Sequence, residues 1–333
     1  MNIYDIAREA GVSIATVSRV INKPEAVNIK TREKVLEIMN SKNFAPKLGT
    51  SVQRPKEMAF YTSAQSLLVE GSIIAGISEV TFAERMGLKL CPLEDIPKKP
   101  SELDSYFAEQ GIGCAIFTTP PYSEEHYAHI ASVIPSVLLY NRLKTADVSC
   151  IRADHHKGGY AAIQHLATMS HTDIAIVDEF KSPDHHDRLA GAREAAAAYG
   201  LPDFNEERLI NVTELSELDM CAQIDHYLMR YPSTTALFVA NDNFVPALYR
   251  HFRARGIRIP DDLSVIGADD VPGSADLFPP LTTIRQPVKQ MSMTAARHLI
   301  DILHGTTSQT EPVREVFEVQ LIVRASTRKL EIK

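Results

Sequence analysis

The sequence predicts an all-α helix-turn-helix head joined to an α/β core of two doubly wound subdomains. Three observations carry this reading. The first 47 residues read as short helices. After Met58, short apolar runs alternate with helical patterns through most of the remaining chain. About nine such strand–helix units are too many for one tidy sheet. Strands alternating with helices imply parallel sheets covered on both faces.

The head comes first. Residues 3–22 read IYDIAREAGVSIATVSRVIN. A small residue at Ala7 lets a second helix approach the first, and Gly11 takes the positive φ of a tight turn. Val17 plugs the gap between the helices, while Ile6, Ala10, Val12, Val20 and Ile21 complete an apolar seam at helical spacing. Ser13 is a natural N-cap. The helix it opens exposes Ile14, Ala15, Ser18 and Arg19. A third helix over about 31–42, capped by Asn28 or Thr31, closes the core through Val35, Ile38 and Met39.

An outward Arg19 suits guanine O6 and N7 in a major groove, and Ile14 and Ala15 suit a thymine methyl. Amides at the helix start suit phosphate. Tyr4, Ser13, Thr16 and Asn22 complete the candidate DNA-contacting set. The competing reading is a structural helical hairpin with an outward Arg. Charge favours the first. Residues 1–56 carry ten Lys/Arg against five Asp/Glu, a balance of +5, while the remainder stands at −12 and the whole chain at −7. A basic head on an acidic body suits a head that meets phosphate.

Residues 47–57 (KLGTSVQRPKE) read as a linker, with Gly49 and Pro55. The domain reading is 1–47 head, 48–57 hinge and 58–333 core. Along the core, strands are expected at 58–62, 88–93, 114–119, 136–141, 174–178, 208–212, 236–241 and 263–267. Helices are expected near 70–86, 101–110, 123–133, 158–169, 187–199, 216–230 and 243–255. Ile284–Pro287, a helix at 288–304 and a strand at 316–324 return the chain to both subdomains.

Composition excludes other classes. Hydrophobic residues make up 44% and charged residues 23%, ordinary for a globular chain. There is no apolar run near the roughly 18 residues of a membrane span and no basic-then-apolar leader. Cys91, Cys114, Cys150 and Cys221 are widely spaced, which reads as a reduced, cytoplasmic chain without a thiolate metal site.

The opening resembles the LacI/GalR family of bacterial regulators, whose start is close to DIAxxAGVSxxTVSRVIN. The resemblance runs nearly the whole chain: RLAG at 188–191, VANDN at 239–243, GIRIPDDLSVIGADDV at 256–271, PPLTTIRQP at 279–287 and LIVRAST at 321–327 look like family signatures in the family's order. It implies a core like a periplasmic sugar-binding protein, with a small effector, sugar or sugar derivative, held between subdomains. It also implies three chain crossings, near 152–158, 284–288 and 317–321. The N-subdomain is then about 58–154 and 287–318, and the C-subdomain about 155–286 and 319–330. The function so implied is a sequence-specific repressor whose operator affinity is changed by the effector, with no catalysis and no cofactor.

By resemblance, Arg188, Asn241 and Asp269 grip the effector. Each lies at a strand end or helix start, where α/β folds place ligands, and together they offer donors and acceptors for a polyhydroxylated molecule. The competing reading has them capping loops or pairing locally. Tyr61, Ser63, Tyr122, Tyr140 and Asn141 follow N-subdomain strands and are candidates for the facing wall. With no Trp, stacking falls to Tyr or Phe.

Two departures stand out. The turn reads Gly267-Ala268-Asp269 where the family carries an aromatic in the middle. The hinge lacks the Ala-Arg-x-Leu that wedges into the minor groove; Leu48 and Val52 are its only apolar candidates. Asp184-His185-His186-Asp187 resembles metal ligands on paper, but adjacent residues rarely converge on one ion, and the segment reads as a polar loop at the cleft mouth. No metal is expected.

One recognition helix covers about half a site, so a homodimer on palindromic DNA is expected. No heptad tail follows the last strand, so dimerisation falls to the core, near helices 70–86 and 243–255. Two other readings stay open: a ligand-binding protein with a vestigial DNA head, and an enzyme on a binding-protein fold.

Overall fold

The computed structural model describes residues 3–13, 16–17, 20, 27–41, 57–63, 71–140, 143, 148–309 and 311–331. The head opens with a helix over Ile3–Ala10 and contains another over Ile29–Ser41. Gly11 turns the chain at φ +66°. The Ser13 hydroxyl then accepts from the Thr16 amide at 3.1 Å, the N-cap bond that satisfies an orphan donor. Asn28 caps the later helix, its Oδ1 accepting from the Lys30 amide. Ile6, Ala7, Ala10, Val17, Val20, Val35 and Met39 form one buried cluster. Ile21 and the hinge over 48–56 lie outside the described residues.

The core holds two six-stranded sheets. The first comprises β1 (Glu57–Thr62), β2 (Gly87–Pro92), β3 (Ile112–Phe117), β4 (Ser136–Leu139), β5 (Ser149–Ala153) and β11 (Arg314–Phe317), in the order β11-β5-β4-β3-β1-β2. The second comprises β6 (Ile174–Asp178), β7 (Leu209–Asn211), β8 (Ala236–Val239), β9 (Ser264–Asp269), β10 (Thr282–Arg285) and β12 (Gln320–Ile322), in the order β12-β10-β9-β8-β6-β7. All pairings are parallel except β10 with β12. β3 is buried at every residue, as a parallel strand covered on both faces must be.

The core helices are α1 (Gly71–Ala83), α2 (Leu103–Glu109), α3 (Glu124–Val133), α4 (His155–Thr168), α5 (Pro183–Ala198), α6 (Glu217–Arg230), α7 (Val245–Ala254) and α8 (Val288–His304). Among the described residues the chain passes between subdomains three times: from β5 into α4, from β10 into α8, and from β11 into β12.

Three expectations need correction. The stretch 316–324 is not one strand; it breaks at 318–319 because β11 and β12 belong to different sheets. β5 escaped the apolar-run reading because Arg152 interrupts it; that side chain reaches across to Asp187 on α5, at 3.4 Å. The segment Asp184–Asp187 is not a loop. Pro183 sits in the first turn of α5, where its missing N–H costs nothing, and the helix runs on from there.

One helix contact positions the site. α4 and α5 cross with backbones touching: a Cβ on Gly159 would overlap the Arg188 carbonyl, and one on Gly191 would overlap the His156 carbonyl. Only glycine at both positions permits this approach.

Candidate functional site

A cleft of about 870 Å³ opens between the subdomains, at the C-terminal ends of both sheets. Its two walls differ. The N-subdomain wall presents Ser72 at the start of α1, Thr118 and Thr119 after β3, and Tyr140 after β4. The C-subdomain wall presents His155, Asp184, His185, Arg188, Asn241 and Asp269.

Arg188 is the hub of the second wall. Its side chain is nearly buried, and a buried guanidinium requires its donors to be met. Nη1 donates to the Ala240 carbonyl; Nη2 donates to His155 Nδ1 at 3.1 Å and lies 3.3 Å from Asp269 Oδ1. Asp269 Oδ1 also accepts from Gln286, which belongs to the β10–α8 crossing. The site and this crossing between subdomains therefore share a carboxylate.

Backbone geometry aims these groups. Asp269 and Asp270 both hold positive φ, at 110° and 51°, an uncommon state for side-chain-bearing residues. The turn sends Asp269 toward Arg188, and Asp270 toward Arg285 at 2.6 Å and Arg324 at 2.7 Å. Asn241 caps the turn before α7, its Oδ1 accepting from the Asn243 amide. Beneath it, buried Asp242 accepts from Ser274 and Thr283. Burial, with Asp269 close by, pushes the Asp242 carboxyl up to about 7.

His155 and Asp184 were not in the expected set. His155 Nε2 lies 3.4 Å from Asp184 Oδ2 without hydrogen-bond geometry and has no other partner. Burial first, and Arg188 second, hold the His155 imidazole well below its usual range. Burial pushes the Asp184 carboxyl up to about 7, although Arg188 pulls the other way. Beside them His185 Nδ1 meets Asp178 Oδ1 at 2.6 Å. The sequence signal was a pair of His-rich segments at helix starts; spacing alone did not show that α4 and α5 cross.

The structure brings Arg188, Asn241, Asp269 and Tyr140 to one cleft. It does not bring Tyr61 or Tyr122 there. Tyr61 is fully buried, stacked on Phe117, with its hydroxyl donating to Tyr106. A central strand buries both faces, so its terminal side chain packs under helices rather than toward ligand. Tyr122 is half exposed, beneath Lys98, and donates to the Ile96 carbonyl at 2.7 Å. Ser63 follows β1, half-buried and outside the described cleft lining. Asn141 lies outside the described residues. In the head, Tyr4 sits in the first helix; Ser13 is exposed and Thr16 half-buried, with their hydroxyls 2.9 Å apart. Ile14, Ala15, Ser18, Arg19 and Asn22 lie outside the described residues.

Among the described residues no group of three His, Cys, Asp or Glu side chains is placed to hold a metal ion. No helix among them is long and apolar enough to cross a membrane.

Comparison with known proteins matches both parts of the chain. Residues 2–47 match the model of bacterial regulatory proteins of the lacI family, and 163–327 match a periplasmic binding protein-like domain. The HTH-type transcriptional regulator DegA of Bacillus subtilis (strain 168) is 31% identical, over 98% of both chains. The HTH-type transcriptional repressor PurR of Vibrio parahaemolyticus is 29% identical, over 98% of this chain and 99% of its own. The solved complex of the transcriptional regulator CelR with cellobiose superposes with a TM-score of 0.70 at 28% identity, covering 98% of this chain and 99% of the other. A helix-turn-helix head and a two-sheet core, matched in that order and nearly end to end, make this chain a member of the LacI family of bacterial transcription regulators, DNA-binding proteins that respond to small effectors.

Proposed function

We propose that this chain is a cytoplasmic homodimeric repressor that binds a neutral, polyhydroxylated effector, a sugar or sugar derivative, between its subdomains, and that it works by binding rather than catalysis. The observation that carries this is the pairing inside the cleft. Arg188 is met by Asp269, Arg285 by Asp270, and Lys289 by Glu79 at 2.8 Å. Among the described residues each Arg or Lys of the cleft lining has a carboxylate, although Asp270 is shared between Arg285 and Arg324; paired charges facing hydroxyls suit a neutral polyol. The similar CelR binds cellobiose.

The head supplies Tyr4, Ser13, Ile14, Ala15, Thr16, Ser18, Arg19 and Asn22 to DNA, with 1–47 as its extent, 48–57 as hinge and 58–333 as core. Dimerisation uses the core. Phe82 at the end of α1 is 87% exposed, and Phe278, beside α7, is 96% exposed; large bare aromatics at these two places suit a face covered by a second copy.

Selection from a random duplex pool tests the DNA reading. A palindrome with half-sites about one helical turn apart is expected. Arg19→Ala lowers affinity for that site by about 1–3 kcal/mol; a folded variant with unchanged affinity defeats the assignment. A thermal-shift screen of neutral sugars against nucleosides and sugar phosphates tests the effector class, because a ligand of the native state raises Tm. Light scattering showing a monomer at micromolar concentration defeats the dimer.

A further inference from the structure

We propose that Asp184, backed by His155, is a ligand-recognising residue that is driven toward its protonated form when the cleft fills, so that a neutral effector is held more tightly at pH 6 than at pH 8. The inference rests on the cleft being the effector site.

The geometry decides where a proton goes. Arg188 Nη2 donates to His155 Nδ1, so that nitrogen is an acceptor and the neutral ring carries its hydrogen on Nε2, facing Asp184. A second proton on His155 would set an imidazolium against the Arg188 guanidinium, with Arg152 close by. Of the pair, only Asp184 has room for a proton. It also lines the cleft, so a ligand there covers the little surface it still exposes.

The charges around Asp184 are those of its own helix, His185, Asp187 and Arg188; His155 on α4; Arg152 on β5; Asp178 on β6, behind His185; and Asp269 on β9, beyond Arg188. Glu179 also lines the cleft and faces Lys181. At the crossing, Arg285 and Lys289 are held by Asp270 and Glu79. Across the cleft stand Ser72, Thr118, Thr119 and Tyr140, which carry no charge near neutrality. A neutral ligand therefore brings desolvation without a new cation, and desolvation favours the protonated carboxyl. The first turn of α5 favours the carboxylate, yet burial outweighs that and pushes the Asp184 carboxyl up to about 7. The proton comes from solvent, and the new O–H donates to a ligand oxygen.

The sign follows from linkage. If the bound form holds the proton more strongly than the free form, affinity rises as pH falls through the window between the two. Carbon-13 NMR of aspartate carboxyls in the ligand-free protein, assigned with Asp184→Asn, is expected to show a midpoint near neutrality; a midpoint in the ordinary carboxylate range overturns the proposal. Calorimetry with cellobiose in buffers of different ionisation enthalpy is expected to show proton uptake at pH 7 and binding roughly 3- to 10-fold tighter at pH 6 than at pH 8, both lost in Asp184→Asn. Binding without proton uptake, or tighter at pH 8, overturns it. The conservative Asp184→Glu, which keeps a titratable group, should retain a pH slope that Asn removes; an equal slope in Asn overturns the assignment to this residue. If cellobiose binds at neither pH, the neutral-sugar reading loses support, and the same calorimetry is run with the ligand that the thermal-shift screen identifies; binding of that ligand without proton uptake overturns the present proposal.

Discussion

The two walls of the cleft rise from the same kind of element, the end of a parallel strand running into a helix, yet their chemistry is opposite. The N-subdomain wall turns hydroxyls to the cleft, those of Ser72, Thr118, Thr119 and Tyr140, with Lys289, Gln290 and Met293 of α8 beside them and Lys289 held by Glu79. The C-subdomain wall is a chain of ionisable groups from Asp269 through Arg188 and His155 to Asp184. A hydroxyl rotates to suit its partner, whereas a buried ion must be held by fixed neighbours. One wall is therefore adaptable and the other organised in advance. The difference shows which substitutions each wall tolerates.

The largest effect is expected from Arg188→Ala. It leaves Asp269 short of its cation and the Ala240 carbonyl short of a donor. Truncating one partner of a buried hydrogen-bonded charge pair costs about 2–5 kcal/mol in binding. Effector affinity should collapse in calorimetry, and if the effector is an inducer, operator binding should persist. Retention of wild-type effector affinity would break the contrast between the walls.

Gly159→Ala comes next. The added methyl meets the Arg188 carbonyl at the α4–α5 crossing, so the helices must part. Overpacking costs about 1–3 kcal/mol of stability, read by urea unfolding, and effector affinity should fall because His155 and Arg188 separate. A stable variant that binds normally would show that the ionic wall does not depend on this approach.

Asp184 gives a pH signature. Burial pushes its folded-state carboxyl up to about 7, above an ordinary unfolded carboxyl, so the native state holds the extra proton. Stability contributed through this group therefore falls as pH rises from the unfolded range toward 7 and is level above that. Asp184→Asn should gain stability relative to wild type across that window, with the gain complete near pH 8 and absent below both midpoints. Chemical denaturation at several pH values checks it. Asp242 carries the same sign and remains in both proteins, so the difference isolates Asp184.

The smallest effects belong to the hydroxyl wall. Thr118→Val and Tyr140→Phe should each weaken effector binding by no more than about 1.5 kcal/mol, the net worth of an ordinary hydrogen bond. A loss as large as that of Arg188→Ala would erase the distinction.

Legibility in the sequence followed the range of the interaction. Ala7, Gly11 and Val17 lie within a few turns of each other, and their spacing was enough to read the head's core. The β/α alternation was readable wherever a strand is a plain apolar run. It failed at β5, where Arg152 breaks the run, and over 316–324, where a passage between sheets looks locally like one strand. Tyr61 and Tyr122 show the same limit. Both follow the rule that strand ends face ligand, but one packs into the core and the other hydrogen-bonds a loop carbonyl.

The family, the order of head and core, the two-sheet class and the positions of Arg188, Asn241 and Asp269 at strand ends or helix starts were all readable from the residues in chain order. Helical and strand periods and the signatures are local, so one chain is enough to show them. That the polar residues of two crossing helices share one wall of the cleft is visible only in the packed subdomain. His155 and Asp184 are 29 positions apart. Gly159 and Gly191 let the helices touch, and burial then changes which charge states the groups can hold. Burial and contact at that separation come from the packing of the whole subdomain, which spacing along the chain does not encode.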